Sequence, residues 1–139
     1  MDRQDVIAKL KRLMARHGFV SHAYLFGSVA EGRAGPLSDI DIAVSFKPGM
    51  GKREAARRKL SLINAISSLL KTDNFDLVLM GGAKLSLKHS IIKGGILLKD
   101  SPLRPAEEAE TMCMYLDMKH YNDLYDSSLV ERVAARGIL

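Results

Sequence analysis

Two aspartates at the start of an apolar segment constrain this chain more than any other feature. In the stretch LFGSVAEGRAGPLSDIDIAV, residues 25–44, a glycine-rich loop joins two apolar runs, and Asp39 and Asp41 open the second run. Aspartate is a poor strand former, and an ionised carboxylate is costly to bury. The pattern therefore indicates that a cation or another partner neutralises these two side chains.

The composition is that of a single globular domain. The chain has 139 residues, of which 47% are hydrophobic and 27% are charged, and one hydrophobic core commonly forms at this length. No apolar run approaches the roughly 20 residues of a membrane helix, and the first residues lack a signal-peptide pattern. We therefore expect a soluble, cytoplasmic protein with no membrane partner.

Cysteine and histidine give no sign of a disulfide or a zinc site. Cys113 is the single cysteine, and the four histidines show no paired ligand spacing such as HExxH. We therefore interpret Cys113 as a small apolar helix residue, and the histidines as structural or exposed.

Hydrophobic periodicity predicts alternating helices and strands. Apolar residues recur at helical spacing in four segments and alternate with polar ones in others. The pattern predicts one α/β (α+β) domain, with residues 1–100 as its core and residues 101–139 as a helical extension packing on the same domain. The predicted helices are 3–17, 52–70, 84–93 and 106–121, and the predicted strands are 21–26, 39–46, 75–80 and 96–99.

The two later helices carry predicted buried faces. In the helix at 52–70, the inward side is predicted to contain Ala56, Leu60, Ile63, Ser67 and Leu70. In the last helix, the residues predicted to pack on the domain are Ala109, Met112, Cys113 and Leu116.

The opening stretch has the residue types of a nucleotide and metal site. Strand alternation puts Asp39 and Asp41 on one face, where two carboxylates can share a Mg²⁺ ion. Gly27 allows the backbone to approach a phosphate, and the Ser28 hydroxyl can assist the N–H groups at a helix start. Asp76, on another predicted strand, can complete a two-metal site and accept a proton from an attacking hydroxyl.

The motifs GSVAEG and SDIDIAV resemble the minimal nucleotidyltransferases of the DNA polymerase beta superfamily, whose signature is a GS turn followed by DxD. The resemblance implies a mixed sheet flanked by helices. It also implies that Gly27 and Ser28 bind the triphosphate of ATP. By the same resemblance, Asp39, Asp41 and Asp76 hold two Mg²⁺ ions and carry catalysis.

One position departs from the family pattern. Family members often place arginine where this chain has Glu31, and here Arg33 follows two residues later. Arg33 is therefore a further candidate for contacting a phosphate, and the alternative is a solvated loop residue.

The resemblance extends through AKLSLKHSIIKGGILL into the last helix and is strongest to the antitoxins of HEPN/MNT toxin–antitoxin pairs. It implies transfer of AMP from ATP to a tyrosine of a HEPN ribonuclease partner, within a complex of the two proteins. Two alternatives stay open. The acceptor can be RNA or a small molecule, because the fold does not determine the acceptor, or the protein can neutralise its partner by binding alone.

Charge divides the chain into two parts. Residues 1–99 contain 17 Lys and Arg against 8 Asp and Glu, whereas residues 100–139 contain 4 against 8. A ribonuclease toxin must attract RNA phosphates, so the acidic end of the chain, residues 106–139, is a predicted docking segment, and its acidic side contains Glu107, Glu108, Glu110 and Asp117. The basic run at 47–59 lacks aromatic residues, so we interpret it as a solvated face and leave RNA binding open.

Overall fold

A four-stranded sheet with helices on both faces forms the body of the protein. The computed structural model describes residues 2–32 and 39–135. The helices are α1 (Arg3–Arg16), α2 (Gly27–Ala30), α3 (Lys52–Leu70), α4 (Leu85–Gly94) and α5 (Arg104–Ala135), the strands are β1 (Val20–Phe26), β2 (Ile40–Phe46), β3 (Phe75–Leu79) and β4 (Ile96–Lys99), and Met80–Gly82 forms a 3₁₀ turn.

The sheet is mixed, which confirms the predicted fold class. Its strand order is β3-β2-β1-β4. Strand β1 is antiparallel to both β2 and β4, whereas β2 and β3 are parallel. The end of β1 and the starts of β2 and β3 therefore lie at one end of the sheet, where the backbone N–H of Ile40 donates to the carbonyl of Asn74 over 3.2 Å.

The main core lies between the sheet and the pair α1 and α3. Helix α1 forms because its apolar residues recur at helical spacing and face the sheet. Four of these residues, Val6, Leu10, Leu13 and Met14, are buried against Ile42 and other strand residues. A smaller cluster on the opposite face packs under α4.

Helix α3 has the predicted bounds but only part of the predicted buried face. Leu70 is buried as expected, together with Leu62 and Ile66. Leu60, predicted to face inward, is 59% exposed. Successive helical residues are rotated by about 100°, so Leu60 and Leu62 point to nearly opposite sides once Leu62 packs on the sheet.

Helix α5 is longer than predicted. It has 32 residues, which corresponds to a length of about 48 Å. After Pro105 the sequence contains no proline and no glycine before Gly137, so no helix-ending residue interrupts it. The prediction ended this helix at about Tyr121, whereas the helix continues to Ala135.

The predicted packing face of α5 is wrong for most of its members. Met112 is half-buried, but Ala109, Cys113 and Leu116 are exposed. The side of α5 that meets the domain is instead largely polar and is described with the site below. In the described parts of the chain, no helix has the length and hydropathy that a membrane crossing requires.

Candidate active site

Three of the predicted site residues lie side by side at one end of the sheet. Asp41 is paired with Phe26 across the antiparallel β1–β2 ladder and with Asp76 across the parallel β2–β3 ladder. Gly27 directly follows Phe26, so the glycine turn and the two carboxylates occupy neighbouring strands. Paired residues in neighbouring strands project to the same face of the sheet, and Asp41 and Asp76 therefore lie on the same face.

Two local features require a glycine at position 27: the backbone conformation and the close approach of the Asp41 side chain. The φ of Gly27 is 77°, in the left-handed region that favours glycine. A Cβ atom built on Gly27 would lie 2.2 Å from Oδ2 of Asp41 and 3.1 Å from its Cγ. The strand therefore turns into α2 in direct contact with the Asp41 carboxylate.

Ser28 follows as a half-buried residue of the short helix α2. Val29 and Ala30 are buried in the main core and hold the helix on the sheet. From α1, Nη2 of Arg3 donates a hydrogen bond of 2.8 Å to the carbonyl of Ala30. The glycine–serine turn is thus fixed at both ends by contacts distant in sequence. Binding of phosphate by Gly27 and Ser28 stays a prediction.

The site concentrates negative charge. Asp39 is exposed just before β2, Asp41 is half-buried, and Asp76 is exposed on β3. Burial raises the pKa of Asp41 above its usual range, and the charges of Asp76 and Asp39 raise it further. Within the described residues none of the three carboxylates forms an ion pair with lysine or arginine. Among these described residues, no basic side chain neutralises the cluster.

Magnesium fits the chemistry of this donor set. Hard divalent ions prefer carboxylate oxygens and retain phosphate and water oxygens among their ligands. Among the residues that the structure describes, no three Asp, Glu, His or Cys side chains converge into a complete metal cage. Asp41 and Asp76 share one face of the sheet, the charges of Asp76 and Asp39 both act on Asp41, and the role of the three as metal ligands stays a prediction. Arg33 lies outside the described residues.

A polar cluster that the sequence did not reveal anchors α5 to the sheet. The ring of His22 is 1% exposed, with Nε2 3.0 Å from Oε2 of Glu107 and Nδ1 3.0 Å from the Ser21 hydroxyl. Ser45, paired with His22 across the sheet, donates to Glu107 over 3.0 Å. Burial lowers the pKa of His22, while the charges of Glu107 and Glu108 oppose this effect.

The carboxylate of Glu108, the second in this cluster, also accepts two hydrogen bonds. The Tyr24 hydroxyl donates to Oε1 of Glu108 over 2.6 Å, and Arg104 donates to Oε2 over 3.0 Å. Glu107 and Glu108 therefore bind their own domain, while the Glu107 side chain remains 45% exposed, and the predicted docking role of this end of the chain stays a prediction. The other two predicted acidic residues, Glu110 and Asp117, are exposed.

A signal for this cluster is present in the sequence. Polar or amphipathic side chains at His22, Tyr24 and Ser45 interrupt strands that are otherwise apolar, and a buried polar group needs a partner. Local spacing does not show that the partners come from a helix more than 60 residues away.

The described part of the chain also contains a pocket of about 530 Å³. It lies on the same face of the sheet as Asp41 but at the opposite end of β2. Apolar residues Val44, Met80 and Ile92 contribute to its walls, and Glu107, Thr111 and Met114 of α5 form one side. The sheet face therefore carries the carboxylates at one end and this pocket at the other.

Several solved structures that resemble this fold are toxin–antitoxin complexes. A complex crystallised with AMP-PNP contains a chain that is 23% identical, with a TM-score of 0.67, covering 94% of this chain and 99% of that chain. A complex of a tri-AMPylated HEPN toxin with an MNT antitoxin, from Shewanella oneidensis, contains a chain that is 21% identical. The TM-score is 0.65, and the match covers 93% of this chain and 99% of that chain. None of the curated protein sequences matches significantly.

The sequence also matches a family model. The model of polymerase beta nucleotidyltransferases covers residues 8–102, which include the glycine–serine turn, the paired aspartates and Asp76. This range is more than half of the chain, and the sheet places these motifs together at one end. The chain belongs to the polymerase beta nucleotidyltransferase family.

Proposed function

We propose that this protein is an antitoxin that transfers AMP from ATP to a tyrosine of a cognate HEPN toxin and thereby neutralises it. The observation that carries the proposal is the alignment of Gly27, Asp41 and Asp76 on neighbouring strands. Family membership supports nucleotidyl transfer. The structural neighbour with a tri-AMPylated HEPN toxin supports the choice of acceptor, and the neighbour crystallised with AMP-PNP supports nucleotide binding.

The residues have distinct roles in the proposed reaction. Gly27 and Ser28 hold the triphosphate, because a glycine lets the backbone approach and a hydroxyl adds a donor. The tyrosine oxygen attacks the α-phosphorus, the bond between the α-phosphorus and the bridging oxygen breaks, and pyrophosphate leaves. Asp76 accepts the phenolic proton. Asp39, Asp41 and Asp76 would hold Mg²⁺, which when bound neutralises phosphate oxygens.

The test uses the full chain with the HEPN protein of the same pair. The toxin is incubated with the antitoxin, ATP and Mg²⁺, and its intact mass is measured. We expect the mass to increase by one or more AMP groups and the modified site to be a tyrosine. Addition of EDTA, or replacement of Asp76 by asparagine, should prevent the increase.

Two nucleotide analogues identify the bond that breaks. The β,γ-imido analogue retains the bond between the α-phosphorus and its bridging oxygen, so it should still donate AMP. The α,β-methylene analogue should not. If the toxin is neutralised at unchanged mass, the antitoxin acts by binding alone. If ATP labelled in its AMP part transfers the label only to added RNA, the acceptor is RNA and not the toxin.

A further inference from the structure

The distal part of α5 extends away from the domain. Its last described contact with another element is Tyr115, whose ring stacks on His89 with a centroid distance of 3.7 Å. Every side chain from Leu116 to Tyr125 is exposed, and the helix continues to Ala135. In proteins, most of the stability of a helix comes from packing of one of its faces rather than from helix propensity. A packing partner would stabilise it.

The exposed part carries a regular apolar stripe. Met114, Met118, Tyr121 and Tyr125 are all large and exposed, and Tyr121 is 68% accessible. Their spacing of four, three and four residues matches the heptad repeat with which one helix packs along another. In the opposite direction, the same spacing leads to Thr111 and Glu107.

The stripe is continuous with the pocket beside the sheet. Glu107, Thr111 and Met114 all line that pocket of about 530 Å³. A helix lying along Met118, Tyr121 and Tyr125 would therefore reach a preformed cavity at its end. The surface formed by the pocket and the stripe is called the α5 groove below.

Charge identifies the occupant. Helix α5 contains seven Asp and Glu against three Lys and Arg, whereas the rest of the chain contains nine against 18. Two α5 helices packed together would bring like charges into contact, which disfavours a second copy. The complementary occupant is a helix with an apolar stripe and basic flanks.

We propose that the α5 groove docks a basic helix of the HEPN toxin. The identity of the partner rests on the proposed function, whereas the location of the surface rests on the exposed stripe and its charge. The surface lies within the acidic end predicted to dock a partner, but its main contacts come from the apolar stripe, because Glu107 and Glu108 hold α5 on its own domain. Tyr121 and Tyr125 are the expected main contributors, since tyrosine is enriched among residues that dominate binding energy.

The test compares two variants of the full chain. Met118→Asp combined with Tyr121→Asp places charges in the stripe, and Leu116→Asp is the matched control, because Leu116 is 58% exposed on the other side of the helix. Affinity for the purified toxin is measured by titration calorimetry. We expect the double variant to bind at least about tenfold more weakly, and the control to bind within about threefold of the wild type.

The controls separate folding, self-association and function. Circular dichroism should show the same helix content in all three proteins, since the substituted side chains are exposed. Equal toxin affinity for the stripe variant and the wild type would overturn the docking proposal even if AMP transfer is observed. If the wild type sediments as a dimer, the stripe variant sediments as a monomer and toxin binding is unchanged, the groove would be assigned to a second copy.

The proposed function can fail independently. A wild type that binds the toxin through the stripe but never increases its mass with ATP would contradict the AMP transfer and leave the docking surface in place.

Discussion

Gly27 leaves no room for a side chain beside Asp41. A Cβ on residue 27 would lie 2.2 Å from Oδ2 of Asp41. The contact joins the end of β1 to the start of β2. It therefore couples the turn proposed to hold the triphosphate to one of the carboxylates proposed to hold metal.

Replacing Gly27 by alanine should displace the Asp41 carboxylate. We expect AMP transfer to decrease about 100-fold, the loss that a misplacement of about 1 Å can cause at a reacting centre. Gly32→Ala is the matched control, because Gly32 also has a positive φ, 73°, but nothing lies within 4 Å of its added Cβ. Both variants should lose about 1–2 kcal/mol of stability from the backbone conformation. Equal transfer rates for the two variants would show that the contact with Asp41 is unimportant.

Asp41→Asn should separate activity from stability. Transfer should be lost, because an amide is a weaker ligand and carries no charge. The folded-state pKa of Asp41 is raised by burial and by Asp76 and Asp39, so ionisation of Asp41 costs the folded protein stability as pH rises above the ordinary value.

Without metal, the variant should therefore gain stability relative to the wild type between about pH 4 and pH 7. Urea unfolding at a series of pH values measures the difference. Asp123→Asn on the exposed side of α5 is the control and should show no such trend. A variant that is less stable than the wild type at pH 7 would contradict the proposed repulsion.

His22 should make the protein sensitive to mild acid. Burial lowers the pKa of His22 in the folded protein. As the pH falls through the ordinary histidine pKa of about 6.5, His22 therefore takes up a proton in the unfolded chain before it does so in the folded protein. Stability should therefore decrease as pH falls below about 6.5, by at most about 1.4 kcal/mol per pH unit for one proton.

His22→Gln should reduce this slope, and His120→Gln, at an exposed position, should retain it. The free energy of unfolding measured by urea between about pH 7.5 and pH 5.5 gives both slopes. Since Gln also weakens the bond to Glu107, the pH dependence rather than the absolute stability is the informative quantity. Parallel profiles for the wild type and His22→Gln would count against the assignment.

Two leucines on α3 distinguish its buried and exposed faces. Leu62→Ala removes a fully buried side chain and should cost about 2–5 kcal/mol. Leu60→Ala removes one that is 59% exposed and should change stability by less than about 0.5 kcal/mol. Thermal or urea unfolding measures both changes. A larger loss of stability for Leu60→Ala than for Leu62→Ala would instead support the buried face predicted from periodicity.

The sequence by itself determined most elements of the fold and the candidate site. Helix α3 and strand β4 have the predicted bounds, because their patterns are local and each element begins directly after a glycine, Gly51 and Gly95. Gly27, Asp39 and Asp41 were found together because they belong to one continuous strand–turn–strand segment. Asp76 was proposed as a third carboxylate on another predicted strand, and the register of β2 with β3 accounts for its proximity to Asp41.

Only the tertiary structure decided which helix faces are covered and what α5 contacts. Periodicity shows that a helix has an apolar side but not which of two overlapping sides meets the sheet, as Leu60 and Leu62 illustrate. The roles of Glu107 and Glu108 depend on His22, Tyr24 and Ser45, which are distant in sequence and meet the helix only after the sheet has formed. A buried polar group is satisfied by whichever partner the fold brings within hydrogen-bonding distance, and local sequence does not contain that information.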